Sequence, residues 1–147
     1  MYLVTGADGF IGSHLCERLN SYVAYDEPFE TDKLEKQLEL PKAVFHLGAI
    51  SSTAERNTQE LARLNILSSC ELLEWCVKHA IPFVYASSAS VYGLGNNGFS
   101  EDAPLTPINY YAISKASFDM FALQKLKDNP DAKIFGLRYF NVYGSNE

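Results

Sequence analysis

The sequence predicts an α/β fold in which helices flank a doubly wound parallel sheet of about five strands. Short apolar runs alternate with longer runs of helical periodicity, a pattern typical of βαβ units. A glycine-rich turn separates the first short run from the first helical one. The length of 147 residues and the hydrophobic fraction of 47% fit one globular domain. We therefore expect a single domain over residues 1–147.

The first half of the chain contains three predicted strands and two predicted helices. In order, they are a strand, a helix, a strand, a helix and a strand at residues 2–5, 11–19, 22–25, 31–40 and 43–47. The strands are rich in β-branched and aromatic residues. The helix at 31–40 is polar and acidic, and Pro41 ends it because a proline ring cannot continue a helix. The third strand is largely apolar and ends at Gly48.

The second half continues the alternation. Its predicted elements are a helix, a strand, a helix and a strand at residues 59–79, 83–86, 110–127 and 132–139. A loop of small residues at 49–53 precedes the first of these helices, and a Gly and Asn loop at 93–98 follows the fourth strand. Pro104 and Pro107 mark the approach to the second helix.

These two long helices carry more apolar residues than one sheet-facing stripe requires. The first has residues at four-three-four-three spacing, and a second set lies partly elsewhere: Ile66, Cys70, Leu73, Val77 and Ala80, then Leu61, Leu64, Leu72 and Trp75. We predict a homo-oligomer, such as a dimer, formed through the helices near 60–79 and 110–127. The alternative is that neighbouring loops cover the excess apolar surface.

Charge and composition argue against several partners. The net charge of −6 disfavours a broad contact with nucleic acid or an anionic membrane. No apolar run reaches the ~18 residues of a membrane span, and no signal peptide is visible, so we predict a cytoplasmic protein. The three cysteines are interpreted as free buried thiols, and His14, His46 and His79 match no metal-ligand spacing, so we expect no metal site.

The strongest motif is the run TGADGFIG at residues 5–12, between the first strand and the first helix. Glycines in this context permit a tight turn and let the backbone approach a pyrophosphate, and the helix N-terminus supplies N–H donors. The spacing is G-x-x-G-x-x-G rather than G-x-G-x-x-G. The motif predicts a dinucleotide-binding domain of the Rossmann type.

The second strand ends at Tyr25 and is followed by Asp26 and Glu27. An acid at this place accepts hydrogen bonds from the ribose hydroxyls of the adenosine half and repels a 2′-phosphate. No basic residue follows before Lys33. We therefore predict NAD as the cofactor, with NADP less favoured; the alternative is that Asp26 is an ordinary solvated carboxylate.

Two further motifs supply candidate catalytic groups. Tyr111 and Lys115 form a Y-x-x-x-K pair, weakly specific alone, that places both side chains on one helical face. The Lys115 ammonium would favour the phenolate form of Tyr111, a candidate general base. Ser87 and Ser88 follow the fourth strand, where ligands bind in such sheets, although small residues there are also common turn formers.

Taken together, the motifs resemble the extended short-chain dehydrogenase/reductase family of NAD-dependent sugar-nucleotide epimerases and dehydratases. The similar runs are TGADGFIG, FHLGAISSTAE, YASSASVYG, YYAISK and RYFNVYG, which cover essentially the whole chain. Within the family, HLGAISSTAE and RYFNVYG look most like the ADP-glyceromanno-heptose 6-epimerases. The resemblance implies hydride removal from a sugar carbinol by NAD, giving a transient ketone.

The resemblance also implies roles for individual residues. The catalytic residues would be Ser88, Tyr111 and Lys115. The cofactor would be bound by Gly6, Gly9, Phe10, Ile11, Gly12, Asp26, Leu47, Gly48, Ala49, Asn65, Tyr111, Lys115 and Tyr139. The nucleotide-sugar substrate would be bound by Ser51, Ser88 and Asn141.

The chain also departs from the family pattern. The segment between the glycine loop and FHLGA is some two dozen residues short, Ser145 stands where a proline is expected, and the substrate-binding domain is expected to be absent. Two hypotheses follow. The chain is an NAD-dependent nucleotide-sugar epimerase or dehydratase, or it is a minimal NAD-binding module with little or no turnover of its own.

Overall fold

The computed structural model describes residues 1–25 and 39–145. Its strands are β1 (Tyr2–Thr5), β2 (Tyr22–Ala24), β3 (Val44–His46), β4 (Phe83–Ser88) and β5 (Ile134–Tyr139). Its α-helices are α1 (Phe10–Cys16), α2 (Thr58–Leu61), α3 (Ser69–Lys78) and α4 (Tyr110–Asp128). A π-helical segment, Ala62–Ser68, joins α2 to α3. A 3₁₀ turn, Ala89–Tyr92, follows β4.

The five strands form one parallel sheet in the order β2-β1-β3-β4-β5. Since β2 lies on one side of β1 and β3 on the other, the chain direction across the sheet reverses between β1 and β3. Crevices at such reversal points, beyond the carboxyl ends of the strands, are where doubly wound sheets bind ligands. The sequence-based prediction of a shortened Rossmann-type sheet of five strands is confirmed.

Apolar packing on one face of the sheet forms the main core. Its fully buried members come from β1, β3, α3 and β4, with α4 closing the layer; they include Leu3, Val44, Leu72, Leu73, Phe83 and Phe118. On the opposite face a smaller cluster of Val4, Ala7 and Cys16 lies under α1.

Several predicted bounds need correction. The strands β2, β3 and β5 are one or two residues shorter than the predicted 22–25, 43–47 and 132–139. The first helix ends at Cys16 rather than residue 19, because the amides of Arg18 and Leu19 donate to the carbonyls three residues back and tighten the turn. The fourth strand continues to Ser88, since its ladder with β5 extends to the pair Ser88 and Tyr139. The helix predicted at 31–40 falls mostly outside the described residues, and residues 39 and 40 are not helical.

The long predicted helix at 59–79 buries only part of the stripe that apolar spacing favoured. Its buried positions are 61, 65, 68, 69, 72, 73, 75 and 76, and three of them are the polar residues Asn65, Ser68 and Ser69. Ile66, Cys70 and Val77 are only half-buried, and Ala80 is exposed. Hydrogen bonds described below account for the burial of Asn65 and Ser69, whereas the Ser68 hydroxyl has no partner among the described residues.

Across residues 1–25 and 39–145, no helix is both long enough and apolar enough to cross a bilayer.

Candidate active site

A cavity of about 800 Å³ opens at the carboxyl ends of β1, β3, β4 and β5, and we call it the central cavity. It is lined by most of the residues that the sequence motifs singled out: Gly6, Gly9, Phe10, Ile11, Gly12, Leu47, Gly48, Ala49, Ser51, Ser88, Tyr111, Lys115, Tyr139 and Asn141. The fold therefore brings together residues that are up to 135 positions apart in the chain.

The glycine turn lies against the loop after β3. Gly6 has φ +66°, and a Cβ there would approach the Gly48 amide nitrogen to 2.6 Å. A Cβ on Gly12 would lie 1.9 Å from the carbonyl oxygen of Gly6. Only glycine fits either position without movement of the backbone, and the result is a wall of bare main chain at the start of α1. Such a wall fits the pyrophosphate of a dinucleotide, which needs close backbone approach.

A capping residue fixes the first residue of α4, and this start places Tyr111 and Lys115 at the cavity. The side chain of Asn109 accepts a hydrogen bond of 2.8 Å from the Ala112 amide and caps the helix. One turn apart, Tyr111 and Lys115 then face β4, and the Lys115 ammonium donates to the Ala86 carbonyl at 2.8 Å. Lys115 is 7% exposed, so this bond holds the cation beside the cavity.

A buried carboxylate fastens the same helix to the strands that end at the cavity. Asp119, one turn beyond Lys115, accepts hydrogen bonds of 2.9 Å from both Tyr85 and Ser87 of β4. It also accepts one of 3.3 Å from the guanidinium of Arg138 on β5. Burial and the nearby Asp119 charge raise the pKa of Tyr85, so its phenol stays a hydrogen-bond donor. Helix α4, β4 and β5 are thus held at fixed positions around the cavity.

Ser88 stands at the last position of β4, where the chain enters the 3₁₀ turn. Its hydroxyl oxygen accepts hydrogen bonds from the amide and the hydroxyl of Ser90, at 3.2 and 2.9 Å. The register partner of Ser88 on β5 is Tyr139, whose pKa is raised by burial, so this phenol is a hydrogen-bond donor at the cavity.

Two predicted site residues do not line the cavity. Asp26 lies outside the described residues. Asn65 is 1% exposed, and its amide is used within the protein: it accepts from the Ile50 amide at 2.9 Å and donates to the Ile50 carbonyl and the Ser114 hydroxyl. With these bonds Asn65 holds the loop after β3 against α4. We had predicted a direct contact with the cofactor instead.

Five residues to which we had assigned no role also line the cavity: Ala86, Ser87, Phe140, Val142 and Tyr143. The last three belong to the run RYFNVYG, of which only Tyr139 and Asn141 were given a role. Ser87 was predicted, with Ser88, to lie at this edge of the sheet, but the resemblance gave it no role, and Ala86 was predicted only as the last residue of the fourth strand.

Comparison with known proteins identifies relatives over the whole chain. A family model described as "NAD dependent epimerase/dehydratase family" matches residues 22–147. The curated ADP-L-glycero-D-manno-heptose-6-epimerase of Alkalilimnicola ehrlichii is 38% identical over 176 aligned positions, which cover 100% of this chain and 54% of that protein. Since 176 exceeds 147, that protein carries residues without a counterpart here, in keeping with the short segment noted in the sequence.

Solved structures give the same result. The ADP-L-glycero-D-manno-heptose-6-epimerase of Helicobacter pylori superimposes with a TM-score of 0.86 at 28% identity, covering 98% of this chain and 56% of that one. The UDP-glucuronic acid 4-epimerase of Bacillus cereus, in complex with UDP-glucuronic acid and NAD, gives 0.81 at 30% identity, covering 97% and 57%. RMD of Pseudomonas aeruginosa, at 28% identity, a TM-score of 0.77 and coverage of 96% and 55%, is complexed with NADPH. The chain thus spans about half the length of these relatives.

Proposed function

Because this chain belongs to the NAD dependent epimerase/dehydratase family, we propose that it binds NAD in the central cavity and carries the catalytic groups for transient oxidation of a nucleotide-bound sugar. The observation that carries the proposal is the meeting of Ser88, Tyr111 and Lys115 with the glycine turn in one cavity. The proposed substrate class is a nucleotide sugar, and an ADP-heptose is the first candidate because two of the matched relatives are ADP-heptose 6-epimerases.

Each of these side chains has a separate role in the proposed oxidation of the sugar. When NAD is bound, its nicotinamide supplies the hydride acceptor. The phenol oxygen of Tyr111 takes the proton from the sugar hydroxyl and later returns it. The Lys115 ammonium, held beside the cavity by the Ala86 carbonyl, would donate to a ribose hydroxyl of the cofactor. The Ser88 hydroxyl donates a hydrogen bond to the sugar oxygen and orients it.

The glycine turn, with Leu47, Gly48 and Ala49, would hold the pyrophosphate and the adenosine half of the cofactor, and Tyr139 would lie beside the nicotinamide. Ser51 and Asn141 would contact the substrate. The preference for NAD over NADP rests on Asp26 and stays a prediction from the sequence, as does the cytoplasmic location.

A Tyr111→Phe variant tests the proposal. The variant keeps the ring that packs at the cavity and loses the proton-transferring oxygen, so kcat with a turned-over nucleotide sugar should fall at least about 100-fold. The Kd for NAD, measured by calorimetry, should change less than about twofold, because pyrophosphate binding uses backbone groups elsewhere. NADP is titrated in parallel to test the cofactor preference. Equal kcat in the variant and the wild type would contradict the proposed role of Tyr111.

A second function has one observation in its favour. Phe140 and Tyr143, which line the cavity, are 58% and 87% exposed, and Phe99, whose ring lies against Phe140, is 57% exposed, so this side of the cavity is open to solvent. If the chain acts as an NAD-binding module without turnover, it should bind NAD but turn over no nucleotide sugar, and Tyr111→Phe would then have no activity to remove. Binding of neither NAD nor NADP would contradict both functions.

A further inference from the structure

Three serines at the end of β4 use their hydroxyl groups in three different ways. Ser87 and Ser88 line the central cavity, whereas Ser90, in the 3₁₀ turn, does not. A serine hydroxyl has one proton to donate and two lone pairs that accept. The partners of each oxygen therefore decide which of the three can donate a hydrogen bond to a substrate.

The proton of Ser87 is committed inside the protein. Its hydroxyl donates to a carboxylate oxygen of Asp119 at 2.9 Å, and that carboxylate is 3% exposed. An ionised carboxylate only accepts, so the direction of this bond is fixed. Although Ser87 lines the cavity, its proton points away from the space that a substrate would occupy.

Ser88 has the opposite arrangement. The Ser90 amide, which can only donate, points at the Ser88 oxygen from 3.2 Å, and the Ser90 hydroxyl donates to the same oxygen from 2.9 Å. With both lone pairs of Ser88 engaged, its own proton is left for an acceptor in the cavity. A reversed bond, from Ser88 to Ser90, would consume that proton.

We infer that Ser90 is a positioning residue that makes Ser88 a hydrogen-bond donor toward the substrate oxygen. The inference rests on the proposed function, in which Ser88 orients the sugar hydroxyl. Ser90 does not touch the cavity, so its effect passes through Ser88. The 3₁₀ turn supplies the geometry: the extended backbone of Ser88 (φ −146°, ψ 142°) brings residue 90 back over its side chain.

The kinetic test compares Ser90→Ala with Ser90→Thr, and uses Ser117→Ala as the matched control. Ser117 is an exposed-face serine of α4 whose hydroxyl, among residues 1–25 and 39–145, donates to the carbonyl of Ile113 alone. Loss of one neutral orienting hydrogen bond should lower kcat about tenfold in Ser90→Ala. KM, the Kd for NAD and the melting temperature should stay near wild type, and Ser90→Thr should restore kcat. Unchanged kcat in Ser90→Ala, with an active wild type, would overturn the inference.

Neutron diffraction of the wild-type chain after deuterium exchange tests the same inference without turnover. The deuteron between the two hydroxyl oxygens should belong to Ser90, and that of Ser88 should point into the cavity. A deuteron donated from Ser88 to Ser90 would overturn the inference. If the wild type turned over no nucleotide sugar, the proposed enzymatic function would fail for this chain, and the neutron density would still decide the role of Ser90.

Discussion

At the scale of single residues, His46 connects the loops of the site through a chain of buried hydrogen bonds. The Gly48 amide donates to the Thr5 hydroxyl oxygen at 3.0 Å, and that oxygen lies 2.7 Å from His46 Nδ1. His46 Nε2 lies 2.8 Å from the Ser69 hydroxyl, which donates to the Asn65 carbonyl at 3.1 Å. One tautomer satisfies every group: Thr5 donates to Nδ1, and Nε2–H donates to Ser69. The imidazole is therefore neutral.

This arrangement predicts a pH-dependent stability. Burial, with the nearby Lys115 charge, lowers the pKa of His46 from 6.5 to about 3. The unfolded chain takes up a proton below pH 6.5 and the folded chain does not, so stability is present above pH 6.5 and is lost as pH falls toward 3. The loss approaches about 1.4 kcal/mol per pH unit. Denaturant unfolding between pH 7 and 5 should show this slope, His46→Gln should remove it, and His14→Gln should retain it. The same slope in His46→Gln and the wild type would refute the assignment.

Asp119 gives a second prediction at this scale. Its carboxylate accepts from Tyr85, Ser87 and Arg138, so Asp119→Asn would remove the negative charge that these three donors share and would place a donor among them. We expect the free energy of unfolding to fall by about 1–3 kcal/mol, the cost of leaving buried donors without their charged acceptor. The exposed pair of Glu60 and Arg63 is the control, and Glu60→Gln should leave the denaturation midpoint unchanged. Equal midpoints for the two variants would show that the Asp119 network does not hold the helix and strands together.

At the scale of elements, the junction of β1 and α1 depends on a close approach of two backbone segments. Alanine is normally preferred to glycine within a helix by about 0.5–1 kcal/mol. Gly12→Ala should nevertheless destabilise the protein by about 1–3 kcal/mol, because its Cβ would overlap the Gly6 carbonyl. The Kd for NAD should rise in parallel, since the glycine turn must move. Gly9→Ala, whose Cβ would lie 3.2 Å from the same oxygen, should be milder in both measurements. A Gly12→Ala variant that was more stable than the wild type would contradict this packing.

The π-helical segment is the other element with consequences for the site. An extra residue in a helical turn rotates the residues that follow it relative to a regular helix. Asn65 lies within this segment, with its amide on Ile50 and Ser114. The segment therefore lets one continuous helix present the polar residues Asn65 and Ser69 to the site and, from Leu72 onward, apolar residues to the core.

At the scale of the whole molecule, the fold buries only part of the apolar surface that the sequence indicated on α4. Phe118 and Ala122 of α4 enter the core, whereas Ile113, Met120 and Leu123 are 46%, 68% and 53% exposed. Neighbouring loops do not cover these three among the described residues. We propose that this stripe contacts a second copy of the chain, as expected for apolar surface on a helix without a partner.

Met120→Lys tests this proposal. A lysine at the centre of the stripe should shift the molecular mass in solution, measured by light scattering or sedimentation, from an oligomer toward the monomer. Asn97→Lys, which adds the same charge in an exposed loop, is the control and should leave the mass unchanged. A monomeric wild type, or an oligomer unaffected by Met120→Lys, would contradict the proposed interface.

The sequence by itself determined the order of the elements and most of the residues around the cavity. Each motif reflects a local structural requirement. The glycines after β1 keep the backbone free of Cβ atoms, the Y-x-x-x-K spacing places two side chains on one helical face, and the serines mark the end of β4. Parallel pairing then carries all strand ends to the same edge of the sheet, so local motifs predict a shared site.

Only the tertiary structure decided which polar residues support the site from within. Asn65 was predicted to face the cofactor, and Asp119 and His46 carried no functional signal, because a single side chain does not show its partners 15 to 49 positions away. The direction of the Ser88 hydroxyl likewise depends on a turn that folds Ser90 back over it. Periodicity shows which face of an element is apolar, whereas hydrogen bonds between elements form only after packing has fixed their distances and excluded water.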